Sequence, residues 1–140
     1  MPFEHIIDHR DRLVVVRGSG EGSVEETADS VRRLLEDQSI CGDYTFMFIV
    51  DDIALHPTPD QMWIIVSFLG MMLSRFSGRM AIVTSQVGRV TTANLIAYEA
   101  DKEGGRIRIF ASESEAQEWL LQNAPENSQS KEALLIGKEG

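Results

Sequence analysis

The stretch PDQMWIIVSFLGMMLSRF, Pro59 to Phe76, is too long for a strand and more apolar than a surface helix of a small domain needs to be. Placed on a wheel at about 100° per residue, it aligns Asp60, Ser67 and Ser74 along one line, with Gln61 and Arg75 to the side. Met62, Ile65, Val66, Leu69, Met72, Leu73 and Phe76 form a broad stripe opposite, which faces a core. Trp63, Ile64, Phe68 and Met71 then fall within or beside the polar arc. A helix lying on a sheet has one face to bury, so these four residues require a second cover. Leaving them in water forgoes roughly 1.5 to 3 kcal/mol for each large side chain. The stretch is interrupted by Gly70 and Arg75 and falls short of the about 20 apolar residues of a membrane span, so no span is expected.

The flanks of this helix set the fold class. Thr58, Pro59 and Gln61 supply an N-cap, an N1 proline and an N3 partner, and Gly78 closes the far end. Upstream, Tyr44 to Val50 is an almost unbroken apolar and β-branched run ending in Asp51-Asp52, and downstream Arg79 to Thr84 (RMAIVT) is another. Both read as strands covered on two faces. Further out, Phe3 to Asp8 and Arg12 to Arg17 form a hairpin, and Gly18-Ser19-Gly20-Glu21-Gly22 reads as a flexible turn that breaks the second strand. Ser23 with Glu26 is a capping box opening an amphipathic helix through Leu34 and Leu35. Val87 to Lys102 is a helix with Val90, Ala93, Ala97 and Tyr98 spaced to pack, stopped by Gly104-Gly105. Arg106 to Phe110 is a short strand, and Ser112 with Glu115 caps a last helix containing Ala116, Trp119 and Leu120. The order is ββαβαβαβα, an α/β domain with a mixed, mostly parallel five-stranded sheet, one antiparallel edge and about four helices. One domain is expected over residues 1–122. Residues 123–140 are polar and read as a disordered tail, with Leu134-Leu135-Ile136 as the only segment in it able to dock.

The strand Gly78-Arg79-Met80-Ala81-Ile82-Val83, a basic residue followed by alternating apolar and alanine positions, and Phe110 followed by Glu115-Ala116 and Trp119-Leu120, resemble the STAS domain. That is the fold of the bacterial anti-sigma-factor antagonists, and the closer likeness is to small single-domain STAS-like proteins related to them and to lipid-binding Sec14 modules. The likeness covers about residues 3–122. It implies a regulatory, protein-binding role, and in the phosphorylatable members a serine or threonine after an aspartate opens the helix following the third strand. Here Asp51 to Asp60 lacks an Asp-Ser-Ser motif, and only Thr58 comes near the place. Capping alone accounts for Thr58, and a phosphate there would face Asp60 and the two upstream carboxylates.

Other constellations are weaker. Asp51, Asp52, His56 and Asp60 gather at the carboxyl end of a parallel strand, where open α/β sheets place ligands, and offer carboxylates and an imidazole for a metal or for proton transfer. A solvated acidic loop in an acidic protein is the simpler and preferred explanation. His5, Asp8 and His9 lie on one hairpin, but strand residues four apart are about 13 Å apart, too far to share an ion. Gly18-x-Gly-x-Gly22 lacks a dinucleotide or phosphate-loop spacing and carries Glu21. Ser67, Ser74, Ser85 and Cys41 have no neighbouring base and no nucleophile elbow. No enzyme, cofactor or resident metal is therefore expected.

With 22 acidic against 13 basic residues, the net charge of −9 disfavours nucleic acid and anionic membrane surfaces. The lone Cys41 excludes an intrachain disulfide, and the N-terminus lacks the pattern of a signal peptide, so a cytoplasmic setting is expected. The function that fits is a non-enzymatic regulatory or interaction domain that uses Trp63, Ile64, Phe68 and Met71, as a homodimer or on a protein partner. The alternative is an apolar small-molecule or lipid carrier in which Trp63, Phe68 and methionines 62, 71 and 72 line a cleft beside the same helix.

Overall fold

The computed structural model of the protein describes residues 3–54, 57–102 and 104–122. Among these the order is β1 (Phe3–Asp8), β2 (Leu13–Glu21), α1 (Val24–Glu36), β3 (Thr45–Ala54), α2 (Pro59–Arg75), β4 (Met80–Val83), α3 (Val87–Ala100), β5 (Ile107–Phe110) and α4 (Glu113–Gln122). The strands form one sheet in the order β1-β2-β3-β4-β5, with β1 antiparallel to β2 and the rest parallel. This is the expected mixed α/β sheet. Residues 123–140, with the anticipated tail, lie outside the described residues.

Each parallel connection carries a helix, and α1, α2 and α3 pack side by side on one face while α4 covers β3, β4 and β5 on the other. The pleat divides the core accordingly. Val14, Val16, Phe46, Met80 and Ile82 meet Leu34, Met72, Phe76 and Ala97 under the three helices. Leu13, Met47, Ile49, Ala81 and Val83 meet Ala116, Trp119 and Leu120 on the other side. Every residue of β4 is buried, which is why RMAIVT reads as continuous rather than alternating hydrophobicity.

The caps hold as the sequence implies. Ser23 with Glu26 and Thr58 with Gln61 are reciprocal capping boxes, and the Ser112 hydroxyl accepts from the Glu115 amide at 3.3 Å. Arg75, which the wheel places on the polar flank, is instead half-buried and donates to the carbonyls of Leu35, Asp37 and Ile40 at 3.0 to 3.3 Å, closing the end of α1. Arg106 does the same for α2, donating to Leu73, Phe76 and Gly78.

Two strand boundaries depart from expectation. Gly18 to Glu21 is not a free turn: β2 continues beside Asp52 to Ala54 after a register shift between Arg17 and Ser19. A Cβ on Gly18 would stand 3.0 Å from the Phe3 ring and 3.2 Å from Ile53, so glycine lets three strands approach, and Gly20 adopts φ 73°. Consequently β3 runs on past Asp51 and Asp52, where the sequence reading ends the strand, to Ala54. In α3 the buried side is Ala93, Ile96 and Ala97, whereas Tyr98, expected to pack, is exposed.

Candidate functional site

The helix α2 sits in the middle of the three-helix layer, and its side chains divide in two directions. Leu69 and Met72 are buried against the sheet. Trp63, Ile64 and Met71 are 56%, 43% and 53% exposed. Phe68, expected among them, is half-buried and packs on the core. Its position, four residues before Met72 and one before Leu69, brings it round to the inner side. The neighbouring α3 also presents Leu95 and Tyr98 to solvent, at 51% and 63%. Leu95 carries no mark in the sequence and Tyr98 reads there as a packing residue, because apolar residues are spread round α3 with little contrast between its faces.

Beneath α2 lies a cavity of about 580 Å³. Its floor is Phe48, Val50 and Ile82 of the sheet, and its roof is Met62, Ile65 and Phe68 of α2. Thr27, Gln86, Arg89 and Thr92 bring the polar groups. The cleft imagined from sequence is thus divided: Met62 and Phe68 line it, Trp63 and Met71 point away, and Met72 is fully buried in the core.

The acidic cluster does not assemble as one site. Asp51 accepts from the Thr84 hydroxyl at 2.6 Å and from the Ser85 amide and hydroxyl at 2.9 and 3.0 Å, fastening the loop between β4 and α3 to β3. Burial pushes its carboxyl up, but these hydrogen bonds, with the charge of Arg89, outweigh that and hold it below the ordinary carboxylate range. Asp52 is exposed on the next position of β3. Asp60 occupies the first turn of α2, and His56 lies outside the described residues. Thr58 uses its hydroxyl to accept from the Gln61 amide at 3.3 Å.

On the hairpin, the Asp8 carboxylate accepts from the amides of Arg10 and Asp11, and His9 Nδ1 is 2.7 Å from the Tyr44 hydroxyl. Among the described residues no three His, Cys, Asp or Glu side chains are gathered for a metal ion. Ser67 donates to the Trp63 carbonyl within its own helix, and Cys41 is an exposed free thiol. No described helix is long and apolar enough to cross a membrane.

No protein-family model matches the chain, and no curated protein matches it. Several solved structures are similar, two of them as follows. An uncharacterised DUF3478 protein from Shewanella loihica PV-4 with a SpoIIAA-like fold superposes with a TM-score of 0.59 at 14% identity, over 84% of this chain and 91% of that one. The anti-sigma factor antagonist SpoIIAA in its unphosphorylated form superposes with a TM-score of 0.51 at 15% identity, over 84% and 96%. The fold is SpoIIAA-like, as the resemblance to STAS domains implies.

Proposed function

We propose that this chain is a non-enzymatic regulatory domain that acts by protein contact through the outer face of α2, as a homodimer. The observation that carries the reading is the placement of Trp63, Ile64 and Met71 in solvent on a helix whose opposite side is already buried. Large aromatic and methionine side chains are enriched at interface centres, where a few of them dominate the binding energy. One of the similar structures is named for its antagonism of an anti-sigma factor, which fits a fold used for binding rather than for chemistry. In this reading Thr58 is a helix cap and the surface is constitutive, with no phosphate needed to expose it. The setting that suits it is the cytoplasm, given one exposed free cysteine and no cysteine partner.

The test is molar mass in solution, by light scattering, for the natural chain and for a Trp63→Asp, Met71→Asp double variant. A dimer that becomes a folded monomer supports the reading. A natural chain that is monomeric up to high concentration overturns the homodimer.

A further inference from the structure

We propose that the cavity beneath α2 binds a long-chain carboxylate, with its hydrocarbon chain between α2 and the sheet and its head group at Arg89. The proposal is independent of the outer face of α2, because none of Trp63, Ile64 and Met71 lines the cavity.

Size comes first. A volume of about 580 Å³ falls in the range of sites that enclose small organic ligands. Its walls make it a site for a chain rather than for water. Phe48, Val50 and Ile82 below and Ile65 and Phe68 above offer no hydrogen-bonding side chains, whereas a buried water needs two to four polar partners. A flexible hydrocarbon makes dispersion contacts with an apolar lining of this kind.

Polarity then orients the ligand. The polar lining is concentrated on α3 and the residue before it, at Gln86, Arg89 and Thr92, where Gln86 and Gly88 are exposed and mark the opening. Arg89 is the one charged residue among the described lining. Its Nη1 donates to the Val50 carbonyl at 2.5 Å, which fixes the guanidinium at the cavity wall, and a guanidinium has five donors, so this bond leaves others for a carboxylate. The Asp51 carboxyl feels the charge of Arg89, but its hydrogen bonds come from Thr84 and Ser85. The chain therefore supplies most of the affinity and Arg89 supplies the preference for an acid.

The experiment titrates the full chain with the fluorescent probe dansylaminoundecanoate and displaces it with octanoate, decanoate, dodecanoate and 1-dodecanol. Saturable binding is expected, with displacement improving about fourfold per methylene along the carboxylate series. Gly88→Phe, at a position where a Cβ meets nothing within 4 Å, should block the opening and abolish binding while the unfolding transition stays cooperative. Arg89→Gln should weaken dodecanoate by about tenfold or more and leave 1-dodecanol unchanged. The chain-length series on the natural protein stands even if a variant fails to fold. No saturable binding, displacement indifferent to chain length, or full binding by a folded Gly88→Phe protein overturns the site. Equal loss of dodecanoate and dodecanol in Arg89→Gln overturns the assignment of the head group.

Discussion

Gly78 lies where the chain leaving α2 crosses the start of β3, and a Cβ there would overlap the Tyr44 carbonyl oxygen and stand 2.9 Å from its carbon. The obstacle is backbone, which cannot rotate away as a side-chain tip does. Gly78→Ala should therefore lower stability by about 2 kcal/mol or more, in the upper part of the range for overpacking. Urea unfolding with an unchanged m-value would check it, and a loss below about 0.5 kcal/mol would show that the two segments separate freely. Asp51 carries a second residue-scale consequence. Its folded-state pKa is depressed below the ordinary value because the hydrogen bonds from Thr84 and Ser85 outweigh the upward push of burial. A depressed carboxylate contributes stability above its unfolded pKa, about 3.9, and that contribution is lost as the pH falls through the lower folded value. Asp51→Asn should be less stable at neutral pH and should lose stability less steeply below about pH 4. A parallel acid limb in urea midpoints against pH would mean that the Thr84 and Ser85 contacts do not favour the charged form.

At the scale of elements, the contrast is between ends that the sequence announces and ends that it does not. Ser23 with Glu26 and Thr58 with Gln61 are legible because donor and acceptor lie three residues apart, within one turn. The carboxyl ends of α1 and α2 are closed by Arg75 and Arg106, whose partners lie 28 to 40 positions away along the chain. No local pattern signals such a contact, so a sequence reading sees only an exposed arginine at Arg75 and a strand-opening one at Arg106. The same limit explains Gly18, where the cause of the glycine is the approach of Phe3 and Ile53 from two other strands. Arg106→Met should cost about 2 to 4 kcal/mol, since three carbonyls at the end of α2 lose a charged donor together. Arg106→Lys keeps the charge without the planar fork and should recover only part of that loss. Thermal unfolding of the pair measures both, and full recovery by lysine would show that charge at the helix end matters more than the fork.

The whole molecule was readable in its order of elements because β3 and β4 are covered on both faces of a single sheet, and that leaves an unmistakable apolar pattern on either side of the helix between them. The candidate site was readable only in part. The wheel puts Trp63, Ile64 and Met71 on the outer side of α2, where they are exposed, but it assumes one straight inner stripe and so misplaces Phe68, and it has no means of sensing a cavity lined by Phe48 and Ile82. What the surface does in association is set by two opposing quantities of the whole chain. Each protomer carries a net charge of −9, which repels a second copy, while the contact offered by Trp63, Ile64 and Met71 is uncharged. Salt screens the repulsion, with a Debye length of about 10 Å at 0.1 M, and leaves an apolar contact intact. If α2 joins two copies, the unfolding temperature should rise with protein concentration, because association binds only the folded state. Raising the ionic strength from about 0.01 to 0.1 M should tighten the dimer, as sedimentation equilibrium would report. A dimer that loosens with salt would be held by ion pairs, and a midpoint independent of concentration would leave the outer face of α2 without a second copy of this chain.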